Sequence, residues 1–283
     1  MPETIAISGA SGHIGGRVAQ ILAGSGDRRL RLLGRDVSHI AALPDATAAR
    51  IEFSDPATVA DALEGVHTFF FVSATESADR AAQQREVVTA ARSVGVQRIV
   101  YLSYVGAAPE ATFTYARDHY DTEQAVRESG LAFTFLRDNQ YQDIIPHLAD
   151  ADGVIAGPAG TGEVAAVLRA DVADCAAAVL SSSEYDGDTF DVTGPRAFTL
   201  ATAAAEMTQI LGRPYSFVDQ TVEQAYASRA KYHAPQWEVD GWVSTYTAIA
   251  RGDLEHATDT VLKLTGHPAT DFREFLSALA KRH

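Results

Sequence analysis

The sequence predicts an α/β protein, a doubly wound parallel sheet with a smaller C-terminal α+β lobe. Three observations carry that expectation. Short β-rich apolar runs alternate with helical apolar spacing through the first half of the chain, and repeated strand–helix units of this length feed parallel strands through right-handed crossovers. One run, Thr68-Phe69-Phe70-Phe71-Val72, is apolar without alternation, as a strand covered on both faces requires. The chain has 283 residues and is 46% apolar, which suits one large domain or one with an appended lobe.

The first strand, Thr4-Ile5-Ala6-Ile7-Ser8, runs into Gly9-Ala10-Ser11-Gly12-His13-Ile14-Gly15, and Arg17-Val18-Ala19-Gln20-Ile21-Leu22 then has helical spacing. A strand that stops at a glycine-rich bend and restarts as a helix aims free backbone N–H groups and the positive end of the helix dipole at one point. In such a turn the first glycine permits the bend, the middle one lets a ligand approach the backbone, and the last allows close helix–strand packing. The spacing is GxxGxxG rather than GxGxxG, so its weight comes from its place between strand and helix. It reads as a pyrophosphate cradle of a dinucleotide, with Gly9, Ser11, Gly12, His13 and Ile14 as cofactor contacts; a purely structural turn is the alternative.

The second strand is Arg29-Leu30-Arg31-Leu32-Leu33-Gly34-Arg35, and the residue at its end faces the adenosine ribose in such folds. An acidic residue there selects NAD, whereas Arg35 can grip a 2′-phosphate through paired hydrogen bonds, which points to NADP(H). Neighbouring Asp36 weakens the local positive field. Arg50-Ile51-Glu52-Phe53-Ser54 reads as the third strand, and a short helix starts near Asp55-Pro56, with Asp as cap and Pro in the first turn. After the Thr68–Val72 strand, Ser73 and Ala74 fall at a carboxyl end and are cofactor candidates. A long helix covers about Ala78 to Val94. The fifth strand, Arg98 to Ser103, ends at the further cofactor candidate Ser103, with Tyr104 next. A helix around His119 to Ser129 stops at Gly130, and Ala132-Phe133-Thr134-Phe135-Leu136-Arg137 is the sixth strand.

From Asp138 onward the pattern mixes short strands and helices, including helical spacing from Asp171 to Leu180. The expected organisation is a single domain, with residues 1–137 as cofactor-binding core and 138–283 mainly as a lobe over the carboxyl ends of the sheet. No low-complexity linker or internal repeat divides the chain.

Composition excludes several partners. The net charge is −14, which argues against a nucleic-acid backbone. No apolar run reaches membrane-spanning length and the opening residues lack a basic-then-apolar leader, so the expectation is a cytoplasmic protein that binds no membrane. The single Cys175 allows no internal disulfide and sits in an apolar helical stretch, where a buried thiol is the simpler reading than a nucleophile. His233, His256 and His267 have no metal-site spacing. A monomer and a homodimer are equally compatible with the sequence.

Further segments carry a resemblance: Gly9 to Gly15, Gly95-Val96-Gln97-Arg98-Ile99-Val100-Tyr101, Ser129 to Arg137, Gly194 with Phe198-Thr199-Leu200, and Leu264-Thr265-Gly266-His267-Pro268. In this order and spacing the chain resembles the NmrA-like atypical short-chain dehydrogenase/reductases with their Rossmann fold. Within them it is most similar to the branch of bacterial NAD(P)H:quinone oxidoreductase type 2 and triphenylmethane reductase. The resemblance spans nearly the whole chain. It implies NADPH-dependent hydride transfer to quinones, imines or conjugated aromatic compounds. The family also includes NADP-binding regulators without catalysis, and these are the alternative; an extended-branch epimerase is a weaker third reading.

One departure bears on the chemistry. Short-chain dehydrogenases carry Tyr-x-x-x-Lys, and here the corresponding stretch is Tyr115-Ala116-Arg117-Asp118-His119. His119 lacks a permanent charge to activate Tyr115, yet it can bond ribose or substrate and donate a proton near neutral pH. Asn139, Gln140 and Tyr141 follow the sixth strand where relatives place an aromatic residue near the nicotinamide, so Tyr141 can stack on a flat substrate or bond its oxygen. His119 and Tyr141 are the catalytic candidates, with a small aromatic or quinone-like molecule as substrate. The stretch Tyr232 to Glu238 is a candidate substrate cover.

Overall fold

A computed structural model describes residues 3–23 and 28–281. β1 (Thr4–Ile7) enters α1 (His13–Ala23) through the glycine bend, and β2 (Arg29–Gly34) returns alongside. The first half continues with β3 (Ala46–Arg50), α2 (Pro56–Leu63), β4 (Thr68–Val72), α3 (Arg80–Ser93), β5 (Arg98–Tyr104), α4 (Thr114–Ser129) and β6 (Ala132–Asp138). The second half holds β7 (Val154–Gly157), β8 (Glu163–Val164), α5 (Arg169–Leu180), β9 (Thr189–Val192), β10 (Phe198–Thr199) and α6 (Leu200–Leu211). β11 (Ser216–Asp219), α7 (Val222–Arg229), α8 (Gln236–Ala250), α9 (Thr260–Thr265) and α10 (Phe272–Ala280) follow.

Seven strands form one sheet in the order β3-β2-β1-β4-β5-β6-β9, with every neighbouring pair parallel. The chain winds outward from β1 to β3 and then crosses back to β4. The carboxyl ends of β1 and β4 therefore meet at the switch point, where sheets of this type open a ligand crevice. α1, α5 and α9 share a core with one face through Ile7, Leu32, Phe70, Val172 and Val261; α2, α3 and α4 cover the other through Phe69, Phe71, Val87, Ile99 and Val126. Phe69, Phe70 and Phe71 are all 0% exposed, and their alternate rings enter opposite cores, which explains the unbroken apolar run.

Local chemistry sets the element ends. Asp55 accepts from the Ala57 N–H at 3.1 Å and Pro56 occupies the first turn of α2. Gly130 closes α4 at φ 76°, a left-handed conformation that side chains with a Cβ rarely take.

Three boundaries differ from the sequence reading. β3 lies at Ala46–Arg50, not Arg50–Ser54. It is an edge strand of partly or fully exposed residues, Ala and Thr followed by Arg50, so no apolar pattern marks it; Ile51 and Phe53 instead pack beneath α2 and α3 just beyond its end. α4 begins at Thr114, which places Tyr115 in a helix rather than a loop. Beyond Asp138 the chain also returns to the sheet: β9 pairs with β6 and α5 packs against α1. The remaining elements form a lobe whose core, with Ile155, Val164, Met207, Tyr246 and Phe272, includes Tyr104 and Val105 from the end of β5. Among the described residues no helix is long and apolar enough to cross a membrane.

Candidate dinucleotide and substrate site

The glycine turn is stitched to both neighbouring strands. The Val72 N–H donates to Ser8 Oγ at 2.8 Å and the Ala10 N–H to the Leu33 carbonyl at 3.2 Å. Gly9 turns the chain at φ 62°. The Gly12 N–H folds back onto the Gly9 carbonyl at 2.9 Å, and the Gly16 N–H reaches the Gly12 carbonyl at 3.0 Å. The N–H groups of His13, Ile14 and Gly15 precede the helical ladder, so they and the helix dipole are available to an anion. A Cβ at Gly15 would lie 2.5 Å from the Gly9 carbonyl oxygen and 2.7 Å from that of Ser8, so α1 sits closer to β1 than any larger residue permits. At Gly12 a Cβ would meet, among the described residues, only the Gly9 carbonyl oxygen, at 3.2 Å, with open space beside it. That open cradle, which side-chain atoms would fill, fits a pyrophosphate.

His13 stands between two cavities. One of about 230 Å³ runs along Ser11, Gly12, Arg17 and Leu43; the other, about 430 Å³, reaches Asp143, Arg169 and Phe275. Arg35 is exposed immediately after β2. Asp36 caps a single following turn and accepts from Ser38 through its N–H at 2.9 Å and Oγ at 2.7 Å. Those bonds hold its carboxyl below the ordinary range, so its negative charge persists beside Arg35.

Ser73 and Ala74 follow β4 at the switch point, where both are held by a residue the sequence reading missed. The Ser73 hydroxyl donates to Gln84 Oε1 at 2.8 Å and the Ala74 N–H to the same oxygen at 3.1 Å. Gln84, 0% exposed, donates onward to Thr122 Oγ1 at 2.9 Å. No pattern in the sequence flags it, because a glutamine in a helix looks solvated.

Ser103 lies elsewhere. It is 0% exposed and donates to Glu123 Oε1 at 2.7 Å, where Arg137 binds both carboxylate oxygens at 2.8 and 2.7 Å. Strand alternation turns Ile99, Tyr101 and Ser103 toward the α3 and α4 side, so Ser103 joins a buried ion pair rather than lining the crevice. Its hydroxyl is engaged with Glu123 of α4.

The Tyr115–His119 pair departs further from an activated tyrosine. Arg80, 2% exposed, lies 5.3 Å from the Tyr115 ring centre and bonds Asp118 at 2.9 Å; Trp237 of the candidate cover stands 6.2 Å from the same ring. Burial, with the carboxylate of Glu76 second, pushes the Tyr115 phenol up to about 12. His119 is 8% exposed, and its Nδ1 lies 2.9 Å from the Tyr101 hydroxyl. Burial, then the charge of Arg80, lowers its imidazole well below the ordinary value. It is neutral near pH 7, since desolvation disfavours the imidazolium that proton donation requires.

At the carboxyl ends of β5 and β6 stands a second polar group. Tyr104 donates to Gln140 Oε1 at 3.3 Å, and the Tyr141 hydroxyl shares a hydrogen bond with Asp138 Oδ2. Tyr141 packs on the core cluster that contains Ala10 and Ile14 of the glycine turn. His119 lies 6.2 Å from Tyr104, ring to ring. Asp138 was passed over because the strand reading ended at Arg137, one residue short of it.

A doubly wound parallel sheet with a phosphate cradle at its switch point defines a dinucleotide-binding protein. The chain belongs to the NAD(P)H-binding family, which it matches over residues 9–183, and within it to the NmrA-like quinone reductase branch. Quinone oxidoreductase 2 of Escherichia coli K12 is 31% identical over 97% of this chain and 98% of its own. Its structure complexed with NADPH superposes with a TM-score of 0.88, covering 97% and 99% of the two chains at 30% identity. The NAD(P)H azoreductase of Xenophilus azovorans is 30% identical over 98% of each chain. The Citrobacter triphenylmethane reductase complexed with NADP(H) gives a TM-score of 0.85 at 26% identity, over 98% and 99%. The chain is an NAD(P)H-dependent oxidoreductase.

Proposed function

We propose that this protein is an NADPH-dependent reductase that delivers hydride to a quinone-like or other conjugated, including imine-bearing, small molecule. The observation that carries the reading is the state of the residues that stand in for Tyr-x-x-x-Lys: His119 is neutral and buried, and the Tyr115 phenol is raised to about 12 rather than activated. Reduction of an ordinary ketone leaves a strongly basic alkoxide that needs a well-placed acid. A quinolate is far less basic and takes its proton from water or a weak donor, so it suits a site without an activated tyrosine. The names of the Escherichia coli and Xenophilus relatives support the same class.

When bound, the reduced nicotinamide supplies the hydride, and the protein's part is binding, orientation and exclusion of water. The free N–H groups at His13 and Ile14 hold the pyrophosphate across Gly9, Ser11 and Gly12. Arg35 pairs with the 2′-phosphate, and Ser73 and Ala74 border the nicotinamide half. Tyr141 stacks on or bonds the substrate. Residues 138–283, where they build the lobe, cover the crevice.

Mixing the purified protein with NADPH and a panel of quinones, while following the nicotinamide absorbance, tests this directly. Turnover is expected, with Tyr115→Phe changing it little. Arg35→Ala is expected to weaken NADPH binding roughly ten- to a hundredfold, equivalent to about 1.5–3 kcal/mol for a charge-assisted contact, and to leave NADH unchanged. Equal affinity of the wild type for both cofactors overturns the role of Arg35. Tight NADPH binding with no turnover of any acceptor moves the chain to the regulatory, NADP(H)-sensing reading.

A further inference from the structure

The carboxyl edge of β6 carries an acid that the reading above leaves unused. Asp138 is 3% exposed and its Oδ2 meets the Tyr141 hydroxyl. The groups around it come from three directions. Tyr104 on β5 stands beside it in register, and apolar Val192 on β9 stands on the other side. Arg169 at the start of α5 lies 5.7 Å from the Tyr141 ring centre, but it is bonded to Asp143 at 2.6 Å. The carboxyl group thus stands among phenols and an aliphatic side chain, and the Arg169 guanidinium near Tyr141 is already paired with Asp143. Burial raises Asp138 to about 8 and lifts the Tyr141 phenol well above its ordinary value. Near neutrality both groups hold their protons.

The direction of the Asp138–Tyr141 hydrogen bond then decides what Tyr141 can offer. A phenol whose hydrogen goes to a carboxylate has only lone pairs left for a third partner; one that accepts from a carboxylic acid has its own O–H free. We propose that Asp138 is the proton reservoir behind Tyr141: its acid O–H donates to the Tyr141 oxygen, and the freed Tyr141 O–H donates to the oxygen of the bound acceptor. This rests on the reductase reading, with Tyr141 facing the substrate. The hydride brings two electrons and one hydrogen. The Tyr141 O–H bond breaks as the product O–H bond forms, the Asp138 O–H bond breaks as that of Tyr141 is restored, and the carboxylate regains its proton from water. Asp138 is a positioning residue that acts through Tyr141.

The test compares the wild type, Asp138→Asn and Tyr141→Phe with one accepted quinone, from neutral to alkaline pH. In the wild type kcat is expected to hold near neutrality and fall about tenfold per pH unit above the Asp138 titration, with a solvent deuterium isotope effect. Asp138→Asn keeps a donor to Tyr141 but has no proton to give. Its kcat is expected to drop about tenfold at pH 7, with the alkaline fall and the isotope effect abolished and the KM for NADPH unchanged; Tyr141→Phe is expected to do the same. An alkaline fall that survives in Asp138→Asn overturns the relay while leaving the reductase intact. Infrared difference spectra of wild type against Asp138→Asn give a readout independent of turnover: a carboxylic-acid carbonyl band at pH 7 that disappears on alkalinisation. Absence of that band at pH 7 overturns the proposal by itself. A wild type that binds NADPH but reduces no quinone overturns the reductase reading and the relay with it.

Discussion

Gly12 and Gly15 sit three residues apart in one turn, yet they answer to different forces. Around Gly12 a new side chain meets one carbonyl and then open space; at Gly15 it runs into two backbone oxygens at 2.5 and 2.7 Å. Gly12→Val is therefore expected to remove NADPH binding with little change in melting temperature, because its methyl groups fill the phosphate cradle. Gly15→Val is expected to destabilise the fold by about 1–3 kcal/mol or more, since backbone cannot give way as a side chain can. Cofactor titration and thermal unfolding of the same two samples separate the effects; equal binding losses with equal melting shifts overturn the distinction. At this scale the turn was legible because strand, bend and helix follow one another without interruption. His119 was not: its position could be read from the Tyr-x-x-x-Lys spacing, but its neutrality comes from burial against Tyr101 and from the charge of Arg80, an element away.

Helix α4 shows how one element fixes several side chains at once. Its buried Glu123 receives Ser103 at 2.7 Å, Arg127 at 3.1 Å and a two-pronged Arg137, which ties the helix to β5 and β6. Glu123 is 0% exposed. Glu123→Ala would leave Arg137 charged and half-buried without its partner, and the expected cost is about 3–5 kcal/mol, read by chemical denaturation. A loss below about 1 kcal/mol, the value of an exposed pair, would show that water replaces the carboxylate. The strand reading located Ser103 correctly at a carboxyl end, but could not tell which face it takes, because an apolar run covered on both sides has lost the alternation that marks faces. The edge strand β3 was misplaced for the complementary reason: exposed Ala and Thr carry no apolar signal at all.

For the molecule as a whole, the crevice at the β1–β4 switch point couples cofactor to stability. A ligand that binds only the folded state stabilises it by about 2.7 kcal/mol at a hundred times its Kd. NADPH is expected to raise the melting temperature more than NADH at equal concentration, and neither is expected to shift Gly12→Val. A shift that persists in Gly12→Val would place the cofactor elsewhere. The alternation of strands and helices, the glycine turn and the family are legible along the chain, because these depend on adjacent residues, where backbone geometry and periodic burial act locally. Tertiary structure alone decided that β9 and α5 return to the sheet, that Ser103 faces α4, that His119 is neutral, and that Asp138 stands behind Tyr141. Each of these depends on distant segments removing water from a group or bringing a charge beside it, and desolvation of that kind leaves no mark in the local order of residues.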